Sequence, residues 1–243
     1  MISIEYGSII GESIEYAKEA VWEKWTKWIL LIVSTIIFPL ILGYVMEIYR
    51  GTKPAPELEH WGKLFIDGLK LIAAWIVYML PVIAVLVVFG GWALFSAIQQ
   101  SAMSGNPDFF TSNPELLMPL IATFLFGLLI AVILAILISI VAYIGIIRMA
   151  RAERFGEAFN FSAIFETIRK IGWGGYILAL IILVVVVMVF GIILALIMAI
   201  PYIGWLIYLV LLPLLSIFQA RYLAQVYDAG EDQTIESAVP VQA

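Results

Sequence analysis

Long apolar runs, separated by short polar or proline-bearing breaks, dominate this chain. No charged residue lies between Lys170 and Arg221, fifty consecutive positions made almost wholly of Ile, Leu, Val, Ala, Met and aromatics. A bilayer's hydrocarbon core takes about 20 helical residues to cross. The run therefore predicts two crossings, 173–199 and 203–226, folded at Pro201-Tyr202-Ile203-Gly204. Three further apolar runs predict crossings at 28–49, 71–98 and 116–147. Pro39 interrupts the first and Pro81 the second, and each removes a backbone donor from a helix. At about 1.5 Å per residue the run 71–98 exceeds a core of about 30 Å, so it must tilt, bend or protrude.

Amphipathic segments flank these runs. Ile10, Ile14, Ala17, Val21, Trp25 and Trp28 recur at helical spacing, with Glu12, Glu15, Glu19 and Glu23 mostly opposite. A helix over 9–27 is expected to lie along the membrane surface, with Trp22, Trp25 and Trp28 in the headgroup layer. The alternative is a helix packed on a neighbour. Trp61, Leu64, Phe65 and Leu69 form a second such face, opposite Lys63, Asp67 and Lys70, and Phe161, Ile164, Phe165 and Ile168 a third. Asn113-Pro114-Glu115 reads as a helix start, with a cap, a first-turn proline and a carboxylate. The reading is an all-α polytopic membrane helical bundle: one membrane domain over 1–227 with about five crossings. A polar, acidic, loosely ordered tail over 228–243, with Pro240 near its end, follows.

A shift of 101 residues aligns Arg50 with Arg151 and Val88-Phe89-Gly90 with Val189-Phe190-Gly191, a weak internal repeat. Small residues also recur. Gly127, Ala131, Ala135 and Ser139 fall every fourth position in one crossing, and Gly191, Ala195 and Ala199 in another. Such stripes let helices approach closely, within a chain or between copies in a homo-oligomer.

Composition agrees with membrane residence. The chain is 64% hydrophobic and 13% charged, against about half apolar and a quarter charged in soluble domains. A net charge of −5 offers no basic field for nucleic acid. There is no cysteine, which excludes disulfides, thiolate nucleophiles and Cys-based metal sites. The opening around Ile4-Glu5-Tyr6 lacks a basic stretch, so the first crossing is expected to act as an uncleaved insertion signal.

Charge sets orientation. The segments 50–70 and 148–170 carry Arg50, Lys53, Lys63, Lys70, Arg148, Arg151, Arg154, Arg169 and Lys170, whereas 99–115 and 200–204 have no Lys or Arg. The positive-inside rule makes the two basic segments cytoplasmic, with the C-terminus inside, in a multi-pass protein of the cell membrane. Five crossings then put the N-terminus outside, which is the favoured reading. A re-entrant hairpin at Pro39 would return it inside.

Chemistry-bearing residues are sparse. His60, the single histidine, has no second ligand at metal-site spacing, and no nucleotide-binding or nucleophile motif appears. No enzyme, metal or cofactor is expected. Glu47 either pairs with Arg50 one turn on or meets Arg221 across helices as a latch. Arg50, Trp61, Lys63, Arg148, Arg151 and Arg154 are expected at the interface or on headgroups. Ser34, Thr35, Ser96, Thr123, Ser139 and Ser216 are the uncharged polar groups at depth; they either bond locally or line a polar path. Asn160-Phe161-Ser162 matches a glycosylation acceptor but falls in a segment read as cytoplasmic.

Pro39, Gly43-Tyr44 and Arg50 are followed by Trp61-Gly62-x-Leu64-Phe65-x-Asp67-Gly68, then by Arg151, Phe155-Gly156-Glu157-Ala158-Phe159 and a closing Gln225-Val226-Tyr227. This pattern resembles an archaeal domain-of-unknown-function family of small multi-spanning membrane proteins. The resemblance implies an archaeal plasma membrane and a helical bundle, and supplies no catalytic or binding residue. Two function classes are expected: a carrier or channel for a small solute or ion, and a non-enzymatic scaffold or lipid-interacting protein whose partners are membrane lipids.

Overall fold

The structure, a computed structural model, describes residues 5–106 and 108–238, with side chains as far as Gly230. Ile4 and Pro240, which entered the sequence reading, lie outside them. Every regular element among the described residues is helical. Four helices are long and apolar enough to cross a membrane: Trp61–Ser104, Pro114–Ala152, Trp173–Met198 and Gly204–Gly230. The chain is a polytopic membrane protein. It forms two compact units, Trp75–Ser139 and the residues on either side of that segment.

In the larger unit, helix α1 (Tyr6–Val21) is amphipathic. Ile9, Ser13, Tyr16, Ala17, Ala20 and Val21 are buried, and Glu12, Glu15 and Glu19 are exposed. The buried face meets protein, the alternative weighed beside the surface reading of 9–27. It packs on the last helix of the chain, α9 (Gly204–Ala238). Three polar side chains explain why. Tyr6 Oη donates to the Gly175 carbonyl at 3.1 Å, Tyr16 Oη donates to the Thr52 carbonyl at 2.8 Å, and Gln225 Nε2 donates to Ser13 Oγ at 3.0 Å. These partners are protein groups, and a helix lying free on the surface would leave them behind. The helix stops at Val21, before Glu23 takes a left-handed φ of 59°.

The segment expected to cross at 28–49 is two helices, α2 (Trp25–Ile36) and α3 (Phe38–Tyr49), bent by 119° at Ile37. Each has 12 residues, about 18 Å, well short of a core of about 30 Å. Pro39 sits in the first turn of α3, where its missing N–H breaks no helical bond. The proline starts a helix here rather than kinking one. Because α1 is bonded to Thr52, Gly175 and Gln225, the N-terminal helix lies beside the basic segments of its unit. The bent pair is either one broken span, giving the five crossings expected, or the re-entrant hairpin that would return the N-terminus to the side of the basic segments.

Helix α4 (Trp61–Ser104) absorbs the expected amphipathic stretch and the crossing 71–98 into one element, with Pro81 inside it. After it come a single turn α5 (Phe109–Ser112) and a 3-10 turn at Pro114–Leu116. Asn113 makes no cap; its amide nitrogen donates back to the Phe109 carbonyl at 2.9 Å. Helix α6 (Leu117–Ala152) follows, then a 3-10 turn at Phe155–Phe159 and α7 (Phe161–Ile171), whose cap Asn160 accepts from the Ala163 N–H at 3.3 Å. Gly172, at φ 90°, separates α7 from α8 (Trp173–Met198), a conformation that L side chains rarely adopt. Helix α9 continues through the expected polar tail as far as Ala238.

Helix α9 is the axis of the larger unit: α1, α2, α3, α7 and α8 all pack on it. From Ile217 to Tyr227 it is buried nearly all round, through Phe218, Ala220, Tyr222, Leu223, Ala224 and Val226, as expected of a helix surrounded by partners. The α3–α4 contact is closer still. A Cβ on Gly43 would overlap the Leu64 carbonyl, and one on Gly68 would overlap the Pro39 carbonyl.

In the unit Trp75–Ser139, a Cβ on Gly127 would run into Phe89, and Phe89 meets Phe126 edge-on at 5.8 Å. Gly127 and Ala131 are buried, and Ala135 and Ser139 half-buried, so this small-residue stripe marks a packing seam. Within the chain the second stripe does not. Gly191, Ala195 and Ala199 are exposed, with no side chain within contact of Gly191.

Candidate functional site

All the close ion pairs between charged side chains among the described residues lie in the larger unit. Arg50 caps α3 and gathers three carboxylates: Glu47 at 2.7 Å, Asp67 at 2.6 Å and Glu153 at 3.3 Å. Asp67, read from the sequence as part of a solvated face, is 2% exposed and also takes Lys70 at 2.8 Å. Glu47 additionally holds Lys63 at 3.0 Å. The network ties α3, α4 and the loop after α6 together. Removing one partner would strand a buried charge, which typically costs about 3–5 kcal/mol.

A second set surrounds Glu157. Arg148 and Arg154 each reach it at 2.9 Å, and the hydrogen bond from Arg148 holds its carboxyl below the usual range. Arg151 donates from Nε to the Tyr49 carbonyl and from its amino end to Asp228, both at 2.5 Å, beneath the Tyr227 ring. The two residues aligned by the internal repeat thus meet: Arg50 reaches Glu153, and Arg151 reaches Tyr49. Arg50, Lys63, Arg148, Arg151 and Arg154, the basic residues expected at the interface, are each paired with a carboxylate. Arg154, with 74% of its side chain exposed, is the most accessible of the arginines in these pairs.

The Glu47–Arg221 latch does not form. Glu47 is taken by Arg50 and Lys63, and Arg221 lies on α9 with its guanidinium carbon 5.1 Å from the centre of the Tyr16 ring.

The tryptophans divide. Trp22 and Trp25 are exposed at 64% and 71%, and Trp61 is partly exposed. Trp28 is tied down: its indole N–H donates to the Val210 carbonyl at 3.1 Å, one turn before Pro213, and its ring stacks on Trp25 at 5.7 Å.

Two cavities flank α1. The first is about 370 Å³, between Ala17, Val21 and Trp28 on one side and Leu194, Leu214 and Phe218 on the other. Its walls are almost entirely carbon. Lys18 is its only charged lining residue, with its ammonium 5.6 Å over the Trp22 ring. The second is about 410 Å³ and polar, bordered by Glu12, Lys53, Arg151, Arg221, Gln225 and Asp228. The two share no lining residue. Among the described residues no group of three His, Asp or Glu side chains is placed to hold a metal ion.

Polar side chains inside the apolar helices are turned onto their own backbone. Ser34, Thr35, Thr123 and Ser216 donate to the carbonyl four residues before, and Ser139 to the one three before, at 2.8–3.2 Å.

No curated protein and no solved structure matches the chain. A family model described as "Protein of unknown function (DUF4013)" matches residues 28–199, from the start of the bent helix pair to the end of α8. With that match over most of its length, the chain belongs to this family of proteins of unknown function.

Proposed function

We propose that this is a non-enzymatic, lipid-interacting protein of the cell membrane rather than a conduit for solutes. The observation that carries the reading is the apolar cavity between α1, α8 and α9. At about 370 Å³ it falls in the range of ligand pockets, about 300–1,000 Å³. Its carbon walls suit a hydrocarbon chain. Lys18 and Trp22 suit the anionic head of the same lipid, since an indole and an ammonium both favour the headgroup layer. The inward-bonded serines and threonines support the same reading, because they leave no row of free hydroxyls to wet a path. By the positive-inside rule, the segments bearing Arg50, Arg148, Arg151 and Arg154 face the cytoplasm, and both ends of the described chain lie with them. An archaeal cell membrane is the location that the resemblance implies.

The test is retention of lipid through purification in mild detergent, read by native mass spectrometry. The wild-type chain should carry a bound anionic phospholipid, and Ala17→Phe, which fills the cavity, should lose most of it while keeping its melting temperature within a few degrees. Equal lipid on both proteins would contradict the proposal. Saturable movement of an ion or small solute into liposomes would support the carrier reading instead.

A further inference from the structure

Arg221 is 2% exposed, and its Nη1 is buried without a hydrogen-bond partner. Among the described residues it has no carboxylate within ion-pair distance. The buried charges of Asp67 and Lys27 are each paired, Lys27 with Glu57 at 2.9 Å, so Arg221 is the exception. A guanidinium cannot shed its proton to escape burial. The face of Tyr16 compensates only part of what desolvation takes away. Something anionic is missing from its surroundings.

The polar cavity is where it would go. Arg221 borders it together with Arg151, Lys53 and Gln225, against the carboxylates Glu12 and Asp228. Asp228 is already bound to Arg151. That leaves Arg221 and Lys53 facing Glu12, a surplus of one positive charge in a chain whose net charge is −5. Gln225 sits one turn beyond Arg221 on α9 and spends its amide nitrogen on Ser13. A planar fork with free donors, beside a flexible ammonium, matches the oxygens of a tetrahedral or planar oxyanion.

We propose that this cavity is an oxyanion site, of phosphate type, in which Arg221 is the principal ligand and Lys53 the second. The site is independent of the apolar cavity and of the lipid reading.

The test titrates inorganic phosphate into the full chain in uncharged detergent, at constant ionic strength with chloride as the control, and reads melting temperature. Wild type should be stabilised saturably by phosphate and not by chloride. Arg221→Gln should abolish the response, Lys53→Gln should weaken it several-fold, and Glu12→Gln should strengthen it by removing a competing carboxylate. If Arg221→Gln fails to fold, Arg221→Lys, which keeps the charge and loses the fork, should bind at least tenfold more weakly. A phosphate response no larger than that of chloride, or one unchanged in Arg221→Lys, would overturn the proposal. So would a Glu12→Gln variant that is destabilised and no more responsive, since Glu12 would then be the partner of Arg221. In nanodiscs, phosphatidic acid in place of phosphatidylcholine should suppress the phosphate response if a lipid headgroup is the ligand. The response should persist if the ligand is soluble; either result supports the oxyanion site.

Discussion

Gly43 and Gly68 show how single positions set this architecture. Each places backbone against backbone where even one methyl group has no room. Gly43→Ala and Gly68→Ala should each cost about 3 kcal/mol, the upper end of overpacking penalties. Gly191→Ala, with nothing around it, should be neutral or stabilising by up to about 1 kcal/mol. Thermal unfolding in one detergent compares the three. The spacing of small residues pointed to Gly191 and passed over Gly43 and Gly68, because it records that a residue is small and not what stands opposite it. Asp67 was hidden for a related reason. It lies among Lys63 and Lys70 on the face that looks solvated, and only the arrival of Arg50 from α3 turns that face inward. The isolation of Arg221 was legible only as a charge at the end of an apolar run; the missing partner needed coordinates.

At the scale of elements, apolar length was a reliable guide wherever a helix is surrounded by lipid. The turn between α8 and α9 falls at Pro201-Tyr202, where the proline breaks the uncharged run. Length leaves the reading open where a helix is surrounded by protein. The run 28–49 has the apolar content of one crossing, yet the fold spends it on two short helices packed on α9. Likewise, the periodic face of α1 meets α9 rather than headgroups, a choice that periodicity alone leaves open. The carboxylate set between α6 and α7 gives a pH prediction. The hydrogen bond from Arg148 lowers the pKa of Glu157 in the folded chain. Its contribution is therefore complete above the unfolded value, about 4.3, and is lost as pH falls through the lower folded value. Melting temperature should hold between pH 7 and 5 and drop below about 4. Glu157→Gln should lower the plateau and flatten that drop; an unchanged acid limb would separate Glu157 from acid stability.

At the scale of the whole molecule, the proposed sidedness turns on the bent pair. Read as a hairpin, it leaves four crossings and would put both ends of the described chain on the side of the basic segments, in keeping with the bonds from α1 to the Thr52 turn and to Gln225. Five crossings would separate them. On the hairpin topology the ion pairs would gather on that side. The absence of cysteine makes this directly measurable, because any introduced thiol is the only one. Ser8→Cys, Lys53→Cys and Tyr202→Cys, each probed in sealed vesicles with a membrane-impermeant maleimide, give the decisive comparison. Ser8 and Lys53 should label from one side and Tyr202, 91% exposed in its turn, from the other. Labelling of Ser8 from the side of Tyr202, or of all three from both sides, would contradict the account.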